Sequence, residues 1–217
     1  YLGQEVVPNS GCGSWLLEPQ STNLSPFSED FSQWSVFNNA SILSSSRISP
    51  DGTQNASELI IGSNNTSPFI LYNHSIIAGD FYTQTIYAKA GDADILQITG
   101  SSGFPTNFQN YNLSNGTLGN NDISLTNKVA SIEDIGNGWY RCIYTSPAIA
   151  TGSGRIIFAI VPEGSGRLGG AGLVFSTGVY IWGAMVEQQS YATSYIPTNG
   201  ASSTRLQDIA TNSGNAS

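Results

Sequence analysis

The chain contains one histidine, so any general base of the Ser-His-Asp kind would have to be His74. No Gly-x-Ser-x-Gly turn accompanies it to supply an activated serine. Glycoside hydrolysis needs two acids flanking one bond, and no Asp/Glu pair stands out for that role. Glu133 and Asp134 precede a turn, and Glu187 ends an apolar segment. Two cysteines, Cys12 and Cys142, and one histidine are too few for a zinc site of the usual Cys/His kind. The expectation is a protein that binds and does not catalyse.

Two clusters hold the chemistry of recognition. Asn107-Phe108-Gln109-Asn110-Tyr111-Asn112 sets aromatic rings among amides, and Tyr72-Asn73-His74 is a shorter cluster of the same type. A carboxamide carries a donor and an acceptor side by side, which matches the vicinal hydroxyls of a sugar. The candidate carbohydrate-binding residues are therefore Asn107, Gln109, Tyr111, Asn112, Tyr72 and His74. Either cluster alone also fits a polar strand or loop on a solvated face. Strand alternation puts Asn107, Gln109 and Tyr111 on one side and Phe108 and Asn110 on the other. The expectation is that Tyr111 is the exposed ring and Phe108 the inward anchor.

The elements that position these clusters read as strands. Segments 57–61, 69–72, 81–90, 95–99, 129–132, 139–145, 155–161 and 179–187 are rich in β-branched and aromatic residues, with turn residues between them. In 81–90 the even positions Tyr82, Ile86, Ala88 and Ala90 are apolar and the odd ones mostly polar, the period of a half-buried strand. Gln84 interrupts the apolar face, so it either hydrogen-bonds internally or lies where that face is open. Asn137-Gly138 is a hairpin-turn signal, since both residues tolerate positive φ. Segments 156–161 and 179–186 are apolar on both faces and need cover on both sides, from loops or from a neighbouring chain. Residues 205–210 could form a short helix. Trp34, Trp139 and Trp182 read as core residues, while Trp15 could dock an irregular N-terminal arm.

Strands every ten or so residues, with 24 glycines and many Asn and Ser, argue for a sandwich or barrel. Residues 1–26 read as an N-terminal arm or connector, 27–210 as the β-sandwich, and 211–217 as a polar linker or tail. The opening Tyr1-Leu2-Gly3 is neither a signal peptide nor an initiator methionine, as in a fragment or processed product.

Net charge is −8, and the seven cations are scattered. No cluster of them could neutralise a run of phosphates, so nucleic acid is not an expected partner. No polybasic patch or spanning apolar run argues for membrane insertion. Whether Cys12 and Cys142 pair is open from sequence; Cys142 sits in an apolar strand pattern that suits a buried free thiol.

Several segments, in fixed order, resemble a known family. They are Leu16-Leu17-Glu18-Pro19-Gln20-Ser21-Thr22-Asn23-Leu24, Ser28-Glu29-Asp30-Phe31-Ser32-Gln33-Trp34, Ser49-Pro50-Asp51-Gly52-Thr53 and Tyr87-Ala88-Lys89-Ala90-Gly91. Asn112-Leu113-Ser114-Asn115-Gly116-Thr117, the run from Ser131 to Cys142, Tyr180-Ile181-Trp182-Gly183-Ala184-Met185-Val186-Glu187 and Ala192-Thr193-Ser194-Tyr195-Ile196-Pro197-Thr198 follow. From residue 16 to 209 the chain is similar to carbohydrate-binding-module-like domains of bacteriophage tail and receptor-binding fibres and related virion proteins.

The resemblance implies a jelly-roll β-sandwich of two mainly antiparallel sheets, one module of a homotrimeric fibre. It implies a non-catalytic virion module that binds host-surface or matrix glycans. The alternatives are a purely structural fibre or capsid-decoration module making protein–protein contacts, and a binding module of a secreted polysaccharide-degrading protein. No cofactor is assigned. Sandwich modules often hold a structural calcium through carboxylate and carbonyl oxygens, and Asp51 and Asp30 are the carboxylates to check for one.

Overall fold

Apolar residues at every second position of long strands close two sheets over one core in the computed structural model, an all-β jelly-roll sandwich. The structure describes residues 17–62, 68–122, 129–169, 173 and 178–209, and the backbone of 5–6 and 14–15. The first six-stranded sheet runs β11 (Thr117–Asn121), β10 (Phe108–Asn112), β9 (Ile95–Ser101), β14 (Gly152–Ile160), β7 (Phe69–Ile76) and β4 (Ser35–Phe37). The second, also six-stranded, runs β12 (Val129–Gly136), β13 (Trp139–Pro147), β8 (Phe81–Ala90), β15 (Val179–Glu187), β6 (Ala56–Ile61) and β5 (Ala40–Arg47). Two small ribbons pair β1 (Glu5–Val6) with β2 (Ser14–Trp15), and β3 (Ser21–Asn23) with β16 (Ser203–Arg205). Every pairing between these strands is antiparallel.

The core lies between the sheets. Ile86 and Ala88 of β8, Cys142 of β13 and Ile181 of β15 pack in one cluster with Leu96 and Ile98 of β9, Ile156 and Phe158 of β14 and Ile70 of β7. Trp34 joins them beside Phe158 and Tyr72, each ring 5.5 Å away. Cys142 is a free, wholly buried thiol whose ionisation burial suppresses; Cys12 lies outside the described residues. Gln84 keeps to the core face, and neither amide atom finds a partner among the described residues.

The segments apolar on both faces are covered by the chain itself. Ile157 and Ala159 of β14 pack in a second cluster with Leu71, Ile95 and Val161, under Leu168. Tyr180 and Trp182 of β15 join Tyr87, Trp139 and Ala56 in a third cluster on the outer face of the second sheet, against Tyr195. Of the two covers expected, loops or a neighbouring chain, the same chain supplies it here, through Leu168 on one face and Tyr195 on the other.

A bulge in β15 between Trp182 and Met185 allows both faces to be apolar. Gly183 occupies it at φ +62° and moves Ala184 and Val186 to the core side. A Cβ there would lie 3.0 Å from the Tyr87 ring and 3.3 Å from that of Tyr195.

The short helix that residues 205–210 could form is absent over the described part, 205–209. Ser203–Arg205 pairs with Ser21–Asn23 as a strand, and residues 206–209 are irregular. Arg205 forms an ion pair with Glu18, and the Asp208 and Glu18 backbones are joined by a 3.0 Å hydrogen bond. Once these residues pair with the other end of the domain, local helix propensity is overridden.

Candidate functional site

The amide-rich cluster forms strand β10 and the turn that follows, on the flank of the first sheet. Its register with β9 sets Phe108, Asn110 and Asn112 opposite Thr99, Gln97 and Ile95, on the outward face. Gln109 and Tyr111 stand opposite Ile98 and Leu96 and face the core. The alternation anticipated from sequence is present, but the sides are reversed. Tyr111 is 0% exposed, and its hydroxyl donates to the Ile143 carbonyl at 2.6 Å. Phe108, expected inside, packs on the outer face at 7% exposure. Tyr111 has the larger side chain and a hydroxyl that finds a carbonyl across the sandwich, so it can be buried without an orphaned polar group. It is not a ring available to a sugar.

The other sequence-derived candidates divide in the same way. Gln109 is buried and donates to the carbonyls of Asn110 and Gly119. Asn107 is buried, and its carbonyl accepts from Thr99. Tyr72 and His74 stand opposite Ile156 and Gly154 on the core-facing side of β7. Tyr72 is half-buried beside Trp34, and His74, 5% exposed, sits 5.3 Å from Tyr72. Burial pushes the His74 imidazole down to about 4, against a smaller opposing effect of a hydrogen bond with the Leu24 backbone. This neutral, enclosed histidine is not placed to meet a ligand. Of the named candidates, Asn112 borders an open cleft.

That cleft, about 220 Å³, lies between the β10–β11 hairpin and the loop after β14. Asn110 and Asn112 line it from β10, and Asn115, Thr117 and Asn120 from the hairpin turn and β11. Glu163 and Gly164 form the opposing wall, and Ile95 and Leu118 supply its apolar surface.

The turn amides use their oxygens locally. Asn112 Oδ1 accepts from the Ser114 N–H at 3.0 Å and its hydroxyl at 2.6 Å. Asn115 Oδ1 accepts from the Thr117 N–H at 3.1 Å and its hydroxyl at 2.7 Å. These side-chain turns hold the hairpin rigid. Among the described residues they leave the Nδ2 groups of Asn112 and Asn115 without a partner, and likewise Asn120 Oδ1.

The opposing wall is clamped onto the sheet from below. Gln97 Nε2 donates to Asn110 Oδ1 at 2.7 Å and to the Gly166 carbonyl at 3.0 Å, while its Oε1 accepts from the Leu168 N–H at 2.8 Å. Asn110 Nδ2 donates to the Ser165 carbonyl at 2.8 Å, and Arg167 reaches Thr99 and the Gly100 carbonyl. Asn120 Nδ2 spans the cleft to the Gly164 and Ser165 carbonyls, each at 3.2 Å. The loop residues lie about fifty positions beyond the hairpin in sequence, and no local motif announced that Glu163 would face Asn112.

A second hollow of about 240 Å³ is lined by Gln20, Ser21, Thr22, Leu24, Gln188 and Gln189. Much of its polar lining is already engaged. Ser21 and Gln189 donate to the buried Glu187 carboxylate, Thr22 pairs with Thr204, and Gln188 donates to Asp80. Asp51 and Asp30, the carboxylates considered for calcium, turn onto their own loops. Asp51 Oδ1 accepts from Ser49 and from the Thr53 N–H and hydroxyl, and Asp30 Oδ1 from the Ser32 N–H and hydroxyl. Among the described residues, no group of three His, Cys, Asp or Glu is arranged to hold a metal.

No family model and no curated protein matches the chain. Among solved structures it is similar to the enzymatically active domain of tailspike protein 4 from Bacteriophage CBA120, at 10% identity and a TM-score of 0.43. That match covers 73% of this chain, which spans only 20% of the tailspike chain. It is also similar to the mannan-recognising carbohydrate-binding module TmCBM27, at 12% identity and a TM-score of 0.36, over 80% of this chain and 98% of that one.

Proposed function

We propose that this domain is a non-catalytic glycan-binding module, and that its site is the cleft between Asn112, Asn115 and Asn120 on one side and Glu163 on the other. The observation that carries the reading is the set of outward amide groups without partners among the described residues, held on rigid turns beside the apolar surface of Ile95 and Leu118. A sugar ring presents both hydroxyls and C–H faces, and this lining answers both. The volume is below the roughly 300–1,000 Å³ of pockets that enclose drug-sized ligands, so the cleft would hold about one ring of a longer chain. The ordered sequence motifs add the setting: a virion fibre attached to host-surface glycans. Assembly into a homotrimer rests on that resemblance alone, since the strands apolar on both faces are covered within the chain.

A second reading is a structural module that meets other proteins. The edge strand β4 favours it, where Phe37 is 42% exposed and stacks on Phe69 at 5.0 Å. Glycan-array binding of the purified domain separates the two. The glycan reading expects retention of saccharides that is lost in Asn112→Ala/Asn120→Ala. An array without a single bound saccharide would leave the structural reading in place.

A further inference from the structure

The charged groups around the cleft restrict which glycan it can take. Among the lining residues Glu163 alone carries a charge, and it is exposed. The described cations are engaged elsewhere. Arg47 lies over the Tyr180 ring at 4.3 Å, and Lys89 donates to the Asn137 carbonyl. Arg141 donates to the Thr193 carbonyl, and Arg205 pairs with Glu18. Arg155 reaches Asn73, and Arg167 is bound to Thr99 and Gly100 beneath the loop. None of them lines the cleft. The whole chain adds a net charge of −8 to this local field.

We infer that the cleft selects uncharged sugar residues and excludes uronic or otherwise acidic ones, with Glu163 as the residue that enforces the exclusion. This rests on the reading of the cleft as a glycan site. A carboxylate accepts hydrogen bonds but donates none. It pairs with sugar hydroxyls, and it repels a second carboxylate brought to the same small space. The amide Nδ2 groups of Asn112 and Asn115 donate to hydroxyl oxygens equally well on neutral rings. Among the described residues no cation lines the cleft to offset the desolvation of an acidic sugar's charge.

Affinity electrophoresis of the full chain provides the test, with dextran, mannan and galactan as neutral probes and alginate and polygalacturonate as acidic ones. The expected result is retardation by at least one neutral polymer, with acidic polymers bound at least about tenfold more weakly at low ionic strength. The gap should narrow in about 1 M salt, where the screening length falls to about 3 Å. Glu163→Gln should raise acidic binding relative to neutral by several-fold, with an unchanged melting temperature as the folding control. Acidic polymers that bind as well as neutral ones, or a Glu163→Gln variant with unaltered preference, would overturn the inference and leave the glycan reading standing. If no polymer is retarded, the glycan reading itself fails and this inference with it.

Discussion

Tyr111 of β10 and Ile143 of β13 join the two sheets through a 2.6 Å hydrogen bond from the phenol hydroxyl to the backbone carbonyl. The ring is fully buried, and burial, together with nearby Cys142 and Tyr144, holds the phenol far above its ordinary ionisation range. Tyr111→Phe removes the bond and keeps the ring, so it should cost about 1 kcal/mol of stability. Tyr111→Ala empties part of the core and should cost about 3–5 kcal/mol. Urea unfolding of both variants checks the order. A Tyr111→Ala protein as stable as wild type would contradict this placement.

Gln97 carries the wall of the cleft without lining it. Its amide bonds Asn110, Gly166 and Leu168 together beneath the loop. Gln97→Leu should cost about 1–3 kcal/mol, because it strands buried polar partners. It should also weaken glycan binding by freeing Glu163 and Gly164 from their position. Calorimetric titration beside thermal melting reads both effects. Lost stability with unchanged affinity would show that the loop does not shape the site.

How much of this was legible in the sequence depends on where apolar residues sit. The strands around Ile86, Cys142, Phe158 and Ile181 are read directly from period-two patterning, because their inner face must be apolar. The strands β5, β10 and β11 are not, since Ala-Ser-Ile-Leu-Ser-Ser-Ser-Arg, Phe-Gln-Asn-Tyr-Asn and Thr-Leu-Gly-Asn-Asn are rich in residues of low strand propensity. Their strand form comes from pairing with neighbours and, in β10, from the Gln97–Asn110 network. The composition of the amide cluster marks it as a candidate for recognition, but its orientation is not legible there. Phe108 and Tyr111 are both large rings, and only the Ile143 carbonyl on the opposite sheet decides which of them turns inward. Glu163 was invisible as a partner because its approach depends on the closed fold.

Acid should destabilise the domain through His74. In the folded state burial holds its imidazole at about 4, below the ordinary 6.5, while the unfolded chain titrates near that ordinary value. The unfolded state therefore takes up the proton first. The stability contributed by keeping this group neutral is full above about pH 6.5 and is lost as pH falls towards 4. The loss is on the order of 3 kcal/mol. Denaturation midpoints measured across this range should fall with pH, and His74→Gln should flatten the slope. An equal slope in the variant would assign the acid sensitivity to other groups.

Gly183→Ala should destabilise by about 1–3 kcal/mol, since an alanine must adopt the positive φ of the bulge. It must also crowd the rings of Tyr87 and Tyr195. Differential scanning calorimetry should show a lower melting temperature, with the cleft on the other sheet unaffected. A melting temperature at or above wild type would mean that the bulge relaxes without strain.

The most direct test of the proposed glycan site is a two-dimensional nitrogen–proton NMR titration of the labelled domain with whichever neutral saccharide it retains. The side-chain NH₂ signals of Asn112 and Asn115, and the backbone amides of residues 115–120 and 163–165, should shift together and saturate with one dissociation constant. Signals from Tyr180, Phe37 and the Gln188–Gln189 hollow should stay in place. Saturable shifts at those other surfaces, with the Asn112 and Asn115 amides unmoved, would contradict the assignment of the site.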